Sequence, residues 1–180
     1  MKNMIALFLL LICLPSNSQD KYNYVLCEDV KVFKDNSKKF VTTCSLKEES
    51  LKEIFGNPDT IMQFSQPYSY KWIIYGGNIF QFDADFDNAI DIQISKSSLK
   101  LVIQDTIELK VGSSIEKILP YYPRSTANIN DSKNGLKELT LFYIHDKKTL
   151  LDIKTCTSWL IIDFNPWTKS IYKIHQYNRD

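Results

Sequence analysis

Three aspartates alternate along one short segment, with the spacing that opens a calcium-binding loop. Asp83, Asp85 and Asp87 would take the first, third and fifth positions, where side-chain oxygens bind Ca²⁺. Asn88 then stands where such a loop requires glycine for a sharp turn, and Ile94 stands where it requires a bidentate glutamate. The segment therefore predicts a polar hairpin turn, with a weak candidate metal site as the alternative.

The residues that could support catalysis are few. His145 and His175 are the only histidines, and neither belongs to a metal-binding spacing such as His-x-x-x-His. Cys156 beside either histidine could form a nucleophilic pair, but an isolated cysteine is more often a small core residue. The chain has no glycine-rich phosphate loop and no nucleophile elbow. These residues predict a protein that is not an enzyme and has no cofactor. A small hydrolase using Cys156 or the aspartate segment is an alternative.

Cys27 and Cys44 flank a turn dipeptide and could form a disulfide. The Asp-Asn pair at 35–36 tolerates positive φ and predicts a hairpin turn. If that turn closes the hairpin, Val30 lies opposite Val41 and the two cysteines lie opposite each other. Their Cβ atoms would then be about 4.5–5.5 Å apart, near disulfide range. Two reduced, half-buried thiols are the alternative.

The hydrophobic periodicity predicts a helix followed by strands twice over. The first helix is expected at 46–55, where Ser45 caps it and Gly56 ends it, and the second at 114–119, before Pro120. Strands are expected, in chain order, at 68–75, 78–82, 89–95, 99–104, 137–145, 149–156, 158–164 and 170–176. The predicted fold is therefore α+β, with two tandem helix-plus-antiparallel-sheet units, 45–106 and 107–180, after an N-terminal β-hairpin segment at 19–44.

One predicted hairpin gathers aromatic residues on a single face. Gly76-Gly77 is a two-residue hairpin link that places Ile73 opposite Phe80, Trp72 opposite Gln81, and Tyr70 opposite Asp83. Since side chains alternate, Tyr68, Tyr70 and Trp72 share one face, and the apolar Ile73, Phe80 and Phe82 share the other. Exposed tyrosine and tryptophan beside polar groups are typical of a protein-binding surface. Burial of these rings against the second unit is the alternative.

The stretch from Tyr121 to Gly135 is a second candidate surface. At about fifteen residues, rich in Ser, Asn and Asp, it exceeds a usual connection, and such long loops are functional or disordered. Arg124 is its anchor, flanked by Tyr121 and Tyr122, and we assign the three to protein binding. A solvated loop without a partner is the alternative.

Residues 1–18 have the features of a secretory signal peptide. Lys2 precedes an apolar run too short to span a bilayer, and Ser16 and Ser18 suit a cleavage site. A lipoprotein with a lipidated Cys13 is the alternative. The chain has 22 basic and 21 acidic residues, and removal of Lys2 balances them, so net charge gives no reason to bind nucleic acid or an anionic membrane. No transmembrane segment is predicted in the mature chain.

Two stretches open or close a short helix with glycine, namely Ser50-Leu-Lys-Glu-Ile-Phe-Gly-Asn-Pro58 and Val111-Gly-Ser-Ser-Ile-Glu-Lys-Ile-Leu119. With the aromatic strands that follow, they resemble the repeat of the β-lactamase inhibitor protein family. They are also similar to the related unit in the small lipoprotein of the outer-membrane barrel-assembly machinery. The resemblance covers roughly 45–176. It implies a helix layer against a curved antiparallel sheet whose open face binds another protein.

Together these features predict an exported protein, periplasmic or secreted, that binds another protein without catalysis. The expected role is an inhibitor, or an immunity protein that blocks a toxin in the periplasm. An envelope-assembly or structural accessory protein is the first alternative, and the small hydrolase is the second. No nucleic-acid partner is expected.

Overall fold

The computed structural model describes residues 23–65, 69–83, 88–144 and 158–177. Within these residues, 52% lie in strands and 20% in helices, and the helices are short. The expected α+β fold of two helix-plus-sheet units is therefore wrong, because the chain forms a β-rich fold with two sheets.

The described part of the chain contains thirteen strands and two α-helices, together with short 3-10 helices. The strands are β1 (Tyr24–Leu26), β2 (Val30–Lys34), β3 (Phe40–Thr42), β4 (Thr60–Phe64), β5 (Tyr70–Tyr75), β6 (Asn78–Asp83), β7 (Ala89–Ile94), β8 (Leu99–Ile103), β9 (Ile107–Lys110), β10 (Asn130–Asp131), β11 (Lys137–Ile144), β12 (Trp159–Phe164) and β13 (Ile171–Tyr177). The helices are α1 (Glu48–Phe55) and α2 (Pro123–Ala127).

The strands form one large sheet and one small sheet. The large sheet has nine strands in the order β1-β11-β12-β13-β7-β6-β5-β4, with β10 also paired to β11. The small sheet has the order β3-β2-β8-β9. Antiparallel pairing of β13 with β7, in which Ile174 lies opposite Ile94, joins strands from the two predicted units in one sheet. The predicted repeat requires each helix to cover a sheet of its own, and the structure does not have this arrangement.

A single hydrophobic core lies on one face of the large sheet. Alternate residues of its strands, such as Ile73, Phe80 and Ile92, are buried there together with residues of the small sheet and of α1. This alternation is the period-two pattern of a sheet with one buried face. We call this the inner face, and the opposite side of the large sheet the outer face.

Helix α1 is amphipathic and packs on the inner face. Its buried residues are Leu51 and Phe55, and the Phe55 ring lies 6.1 Å from that of Phe80. The helix begins at Glu48, with Lys47 as its N-cap, so the predicted cap at Ser45 is wrong. Gly56 ends the helix as expected, because its φ of 84° is readily adopted only by glycine.

The disulfide between Cys27 and Cys44 is confirmed, although the hairpin around it differs from the prediction. The Cα atoms of the two cysteines are 5.0 Å apart. In the hairpin Val32, not Val30, lies opposite Val41, so the predicted register is wrong by two residues. The cysteines lie in short 3-10 helices that flank the hairpin. Cys27–Asp29 precedes β2, Thr43–Ser45 follows β3, and together they bring the two sulfur atoms into bonding distance.

The predicted second helix is replaced by shorter turns. Ile115–Lys117 and Leu119–Tyr121 form 3-10 helices, because Pro120 cannot donate the backbone hydrogen bond that a continuous α-helix requires. The expected loop that follows contains α2, whose first turn receives a cap from a distant residue. Asn23 Oδ1 accepts hydrogen bonds from the backbone N–H groups of Arg124 and Ser125, at 2.9 and 3.1 Å.

Candidate functional site

Three aromatic rings form a cluster on the outer face of the large sheet. The ring centroids of Phe64 and Tyr70 are 4.6 Å apart with an interplanar angle of 18°, and Trp72 lies 5.0 Å from Phe64 and 6.1 Å from Tyr70. All three side chains are half-buried. We call Phe64, Tyr70 and Trp72 the outer aromatic cluster.

Strand register places these rings together. The β5–β6 hairpin has the predicted pairs, with Ile73 opposite Phe80, Trp72 opposite Gln81 and Tyr70 opposite Asp83, so that prediction is confirmed. On the other side of β5, Phe64 lies opposite Tyr70. Because directly opposed residues share a face, the inner face buries the apolar partners and the outer face carries the rings.

A hydrogen bond fixes the central ring of the cluster. Trp72 Nε1 donates to Gln81 Oε1 at 2.9 Å, across the β5–β6 pair. The indole therefore has its polar group satisfied by the sheet itself, and its remaining surface is apolar. A fixed, half-buried indole is well suited to bind a partner, because little side-chain entropy is lost on association.

Strand β4 forms the edge of the large sheet beside the cluster. Its side chains are mostly exposed, with Ile61 at 48% and Met62 at 42% of their full accessible surface. The strand has no charged residue and no proline, whereas the edge strand β9 of the small sheet contains Glu108 and Lys110. Charges and prolines are the usual protection of an edge against pairing, so β4 is an unprotected apolar edge.

An ion-pair network supports β5 from the inner side. Lys71 lies opposite the buried Phe82, and its ammonium group binds Glu48 of α1 while lying 5.7 Å from the centre of the Phe82 ring. Lys52 also contacts Glu48, at 2.9 Å. Hydrogen bonds from Lys71 and then Lys52 hold the pKa of the Glu48 carboxyl below its usual value. The network ties α1 to the strand that carries two of the cluster rings.

A histidine and an aspartate lie side by side further along the outer face. His175 Nε2 and Asp91 Oδ1 are 2.7 Å apart, and neither atom has a partner with hydrogen-bond geometry within the described residues. The Tyr177 ring lies 6.0 Å from the imidazole. A His–Asp pair can hold a proton, but nucleophilic catalysis also requires a nucleophile bonded to the imidazole. The described residues supply none.

The second predicted surface, formed by Tyr121, Tyr122 and Arg124, contains both exposed and buried residues. Tyr121 is 60% exposed and lies beside β9, where it lines a shallow recess with Ile107 and Ile118. Tyr122 is only 6% exposed and belongs to the core. Its hydroxyl is buried without a partner among the described atoms, and desolvation raises its pKa to about 12. A buried ring cannot contact a partner, so Tyr122 is removed from the candidate surface, whereas Arg124 on α2 is exposed.

Several predicted site residues lie outside the described residues. They are Tyr68, Asp85, Asp87, His145 and Cys156, together with the signal peptide and Cys13. Asp83 lies at the end of β6, opposite Tyr70. In the part of the chain that the structure describes, no group of three or more His, Cys, Asp or Glu residues is arranged to hold a metal ion.

Strand β4, with Phe64 and Met62, is absent from the sequence-based prediction. Its signal in the sequence is weak, since Thr-Ile-Met-Gln-Phe is short and alternates poorly. The His175–Asp91 contact also could not be found from the sequence, because it depends on the pairing of β13 with β7, strands that are far apart in the chain.

Within the described ranges, no helix has the length and the apolar character needed to cross a membrane.

No protein-family model, no curated protein and no solved structure matches this chain, so the comparisons assign it to no family.

Proposed function

We propose that this protein is an exported, non-catalytic module that binds another protein through the outer aromatic cluster and the adjoining edge strand β4. The observation that supports this most is the half-buried cluster of Phe64, Tyr70 and Trp72 beside an uncharged, exposed strand. Fixed aromatic rings of this kind dominate binding energy at protein interfaces.

Strand β4 adds a second element to the proposed interface. An exposed edge offers backbone donors and acceptors to an extended segment of a partner, and the neighbouring side chains select its sequence. Ile61 and Met62 project from opposite faces of this edge, so a partner strand would contact apolar surface on both sides. The partner is therefore a protein with an exposed, largely uncharged strand or loop.

An inhibitor or an immunity protein against a toxin is the role that we propose for such an interface. Either role requires occlusion of another protein and no reactive group in this chain. The open outer face of the large sheet supports this role by fold-level analogy.

Affinity purification from the native cell envelope tests the proposal. We expect wild-type bait to recover one protein in stoichiometric amount, and a variant with Tyr70→Ala and Trp72→Ala to recover at least tenfold less of it. Tyr24→Ala is the matched control, because Tyr24 is exposed on β1, at the other end of the strand order. Recovery of only lipids or sugars would count against protein binding, and equal recovery by the double variant would exclude this surface.

A further inference from the structure

Four turns meet at one end of the molecule. Lys137 lies opposite Phe164, so the β10–β11 turn (132–136) adjoins the β12–β13 turn (165–170). Ile94 lies opposite Ile174, so the β7–β8 turn (95–98) adjoins the start of β13. The backbone N–H of Asp35 donates to the Ser98 carbonyl at 2.8 Å, which adds the β2–β3 turn (35–39).

These turns are basic although the whole chain is almost neutral. They carry five exposed lysines and a single carboxylate, that of Asp35, which is already paired with Lys110 at 2.8 Å. Across the described residues, none of the five lysines has an ion-pair partner; they are Lys38, Lys39, Lys96, Lys133 and Lys169. We call this end of the molecule the lysine-rich end.

Three acidic residues near these turns are engaged elsewhere, whereas Glu116, which follows Ile115, is exposed beside the β12–β13 turn. Asp131 pairs with Lys137 at 2.6 Å, Asp163 accepts a hydrogen bond from Ser132 at 2.7 Å, and Asp59 accepts one from the Gly76 N–H. Their charges reduce the local positive potential, but they do not neutralise the lysines directly. Net neutrality of the chain therefore conceals an uneven distribution of charge.

Trp167 projects from the lysine-rich end. It is 89% exposed, the most exposed large apolar side chain among the described residues. The turn below it is well fixed, since Asn165 Oδ1 accepts hydrogen bonds from the N–H groups of Trp167 and Thr168 at 2.8 and 2.9 Å. A second segment holds the turn from the side, because Ile115 N–H donates to the Lys169 carbonyl at 2.8 Å.

We propose that the lysine-rich end binds the surface of a membrane that contains anionic lipids, with Trp167 inserted at the level of the headgroups. An exposed indole is amphipathic and favours the membrane–water interface, where one part of the ring is apolar and the N–H is hydrated. Lysines on adjacent turns bind lipid phosphates, and their attraction adds up over several residues within a Debye length. This inference is independent of the outer aromatic cluster and does not require protein binding.

Vesicle co-sedimentation tests the inference with protein purified from the envelope of producing cells. We expect binding to phosphatidylcholine vesicles with about 30% phosphatidylglycerol at about 50 mM salt, and loss of this binding at about 500 mM salt. The combined variant Lys96→Glu, Lys133→Glu and Lys169→Glu should bind at least tenfold more weakly. Trp167→Ala should reduce binding about fivefold or more and should abolish a blue shift of tryptophan emission on vesicle addition.

Matched controls separate this surface from general effects. Lys47→Glu changes an exposed lysine at the opposite end of the large sheet, where the backbone of Lys47 forms a β-bridge with that of Asn88. Because this position is far from the lysine-rich end, the change should alter vesicle binding less than about twofold. All variants have the same N-terminal segment, so any effect of that segment on vesicle binding is the same in every comparison. No binding to anionic vesicles at low salt, equal binding by the combined variant, or binding of a single-stranded oligonucleotide in place of vesicles would each overturn the inference. If the Glu variant unfolds, the corresponding Lys→Gln variant gives the same comparison.

Discussion

We expect substitution of Asn78 to lower the stability of the fold substantially. This residue is completely buried at the start of β6, and its side chain makes four hydrogen bonds. Nδ2 donates to the Tyr75 carbonyl at 3.1 Å and to Ser98 Oγ at 2.8 Å. Oδ1 accepts from the backbone N–H groups of Ser95 and Lys96, at 3.0 and 2.9 Å. One amide therefore connects the Gly76-Gly77 turn to the β7–β8 turn.

Asn78→Ala removes all four hydrogen bonds and leaves their partners without this amide. A net hydrogen bond contributes about 1 kcal/mol, and a buried group left unsatisfied costs about 1–3 kcal/mol. Some partners lie near the surface and can bind water instead, so we expect the free energy of unfolding to fall by about 3–4 kcal/mol. Urea denaturation followed by tryptophan fluorescence measures this difference.

Asn78→Asp distinguishes the two halves of the amide. It keeps the acceptor for Ser95 and Lys96, but it replaces the donor with a carboxylate facing the Tyr75 carbonyl, so we expect destabilisation of at least about 2 kcal/mol. Asn57→Ala is the control, because Asn57 is exposed, and it should change stability by less than about 0.5 kcal/mol. A loss below about 1 kcal/mol for Asn78→Ala would refute the reasoning.

Three further predictions concern the core and its supports. Removal of the disulfide by Cys27→Ala with Cys44→Ala should lower the free energy of unfolding by about 3 kcal/mol, because a cross-link spanning 17 residues restricts the unfolded chain. Glu48→Gln should cost about 1 kcal/mol at pH 7. Since folding lowers the pKa of Glu48, this contribution is complete above the unfolded pKa of about 4.3 and is lost as pH falls through the folded pKa. Tyr143→Phe should cost about 1 kcal/mol, because the buried Tyr143 hydroxyl bonds a core threonine, whereas Tyr122→Phe should be neutral or stabilising, because its buried hydroxyl has no partner among the described atoms.

Chemical denaturation measures the free energy of unfolding of each of these variants. For each prediction, one result would contradict it. For the disulfide, equal midpoints with and without reductant would contradict the prediction. For Glu48, Glu49→Gln is the control, since Glu49 is exposed on the same helical turn. The Glu48 effect must diminish as pH falls through the folded pKa of Glu48, while the Glu49 effect stays small at every pH. Each of the two Tyr→Phe changes removes one buried hydroxyl group. Equal changes in the free energy of unfolding would therefore show that the hydrogen bond of the Tyr143 hydroxyl does not stabilise the fold.

Local sequence signals predicted the parts of the fold that local chemistry controls. Gly76-Gly77 set the link of the β5–β6 hairpin, and both glycines have positive φ, so the register of that hairpin followed. The disulfide was also predicted, although the register used to derive it was wrong. The two 3-10 helices compensate for the shift, and nothing in the local sequence marks them.

Long-range pairing could not be predicted, and the candidate site depends on it. The sequence predicts a helix at 114–119, and Ser114 does accept a hydrogen bond from the Glu116 N–H. Instead of an α-helix, however, two 3-10 helices form there, Ile115–Lys117 and Leu119–Tyr121. The repeated sequence pattern predicts two separate sheets, whereas β13 pairs with β7 and joins both parts of the chain in one large sheet. Pairing of β13 with β7 has no sequence signal that a single chain reveals, because it forms between strands about eighty residues apart.

Site-specific photo-crosslinking in producing cells tests the central proposal most directly. A photoreactive phenylalanine analogue at Met62 or Gln63 lies on the exposed edge strand beside the outer aromatic cluster, and the same analogue at Tyr24 is the control. Protein binding at this surface predicts one discrete adduct of the same partner from Met62 and Gln63, and none from Tyr24. Absence of any adduct at the edge strand, or the same adduct from Tyr24, would contradict the proposed interface.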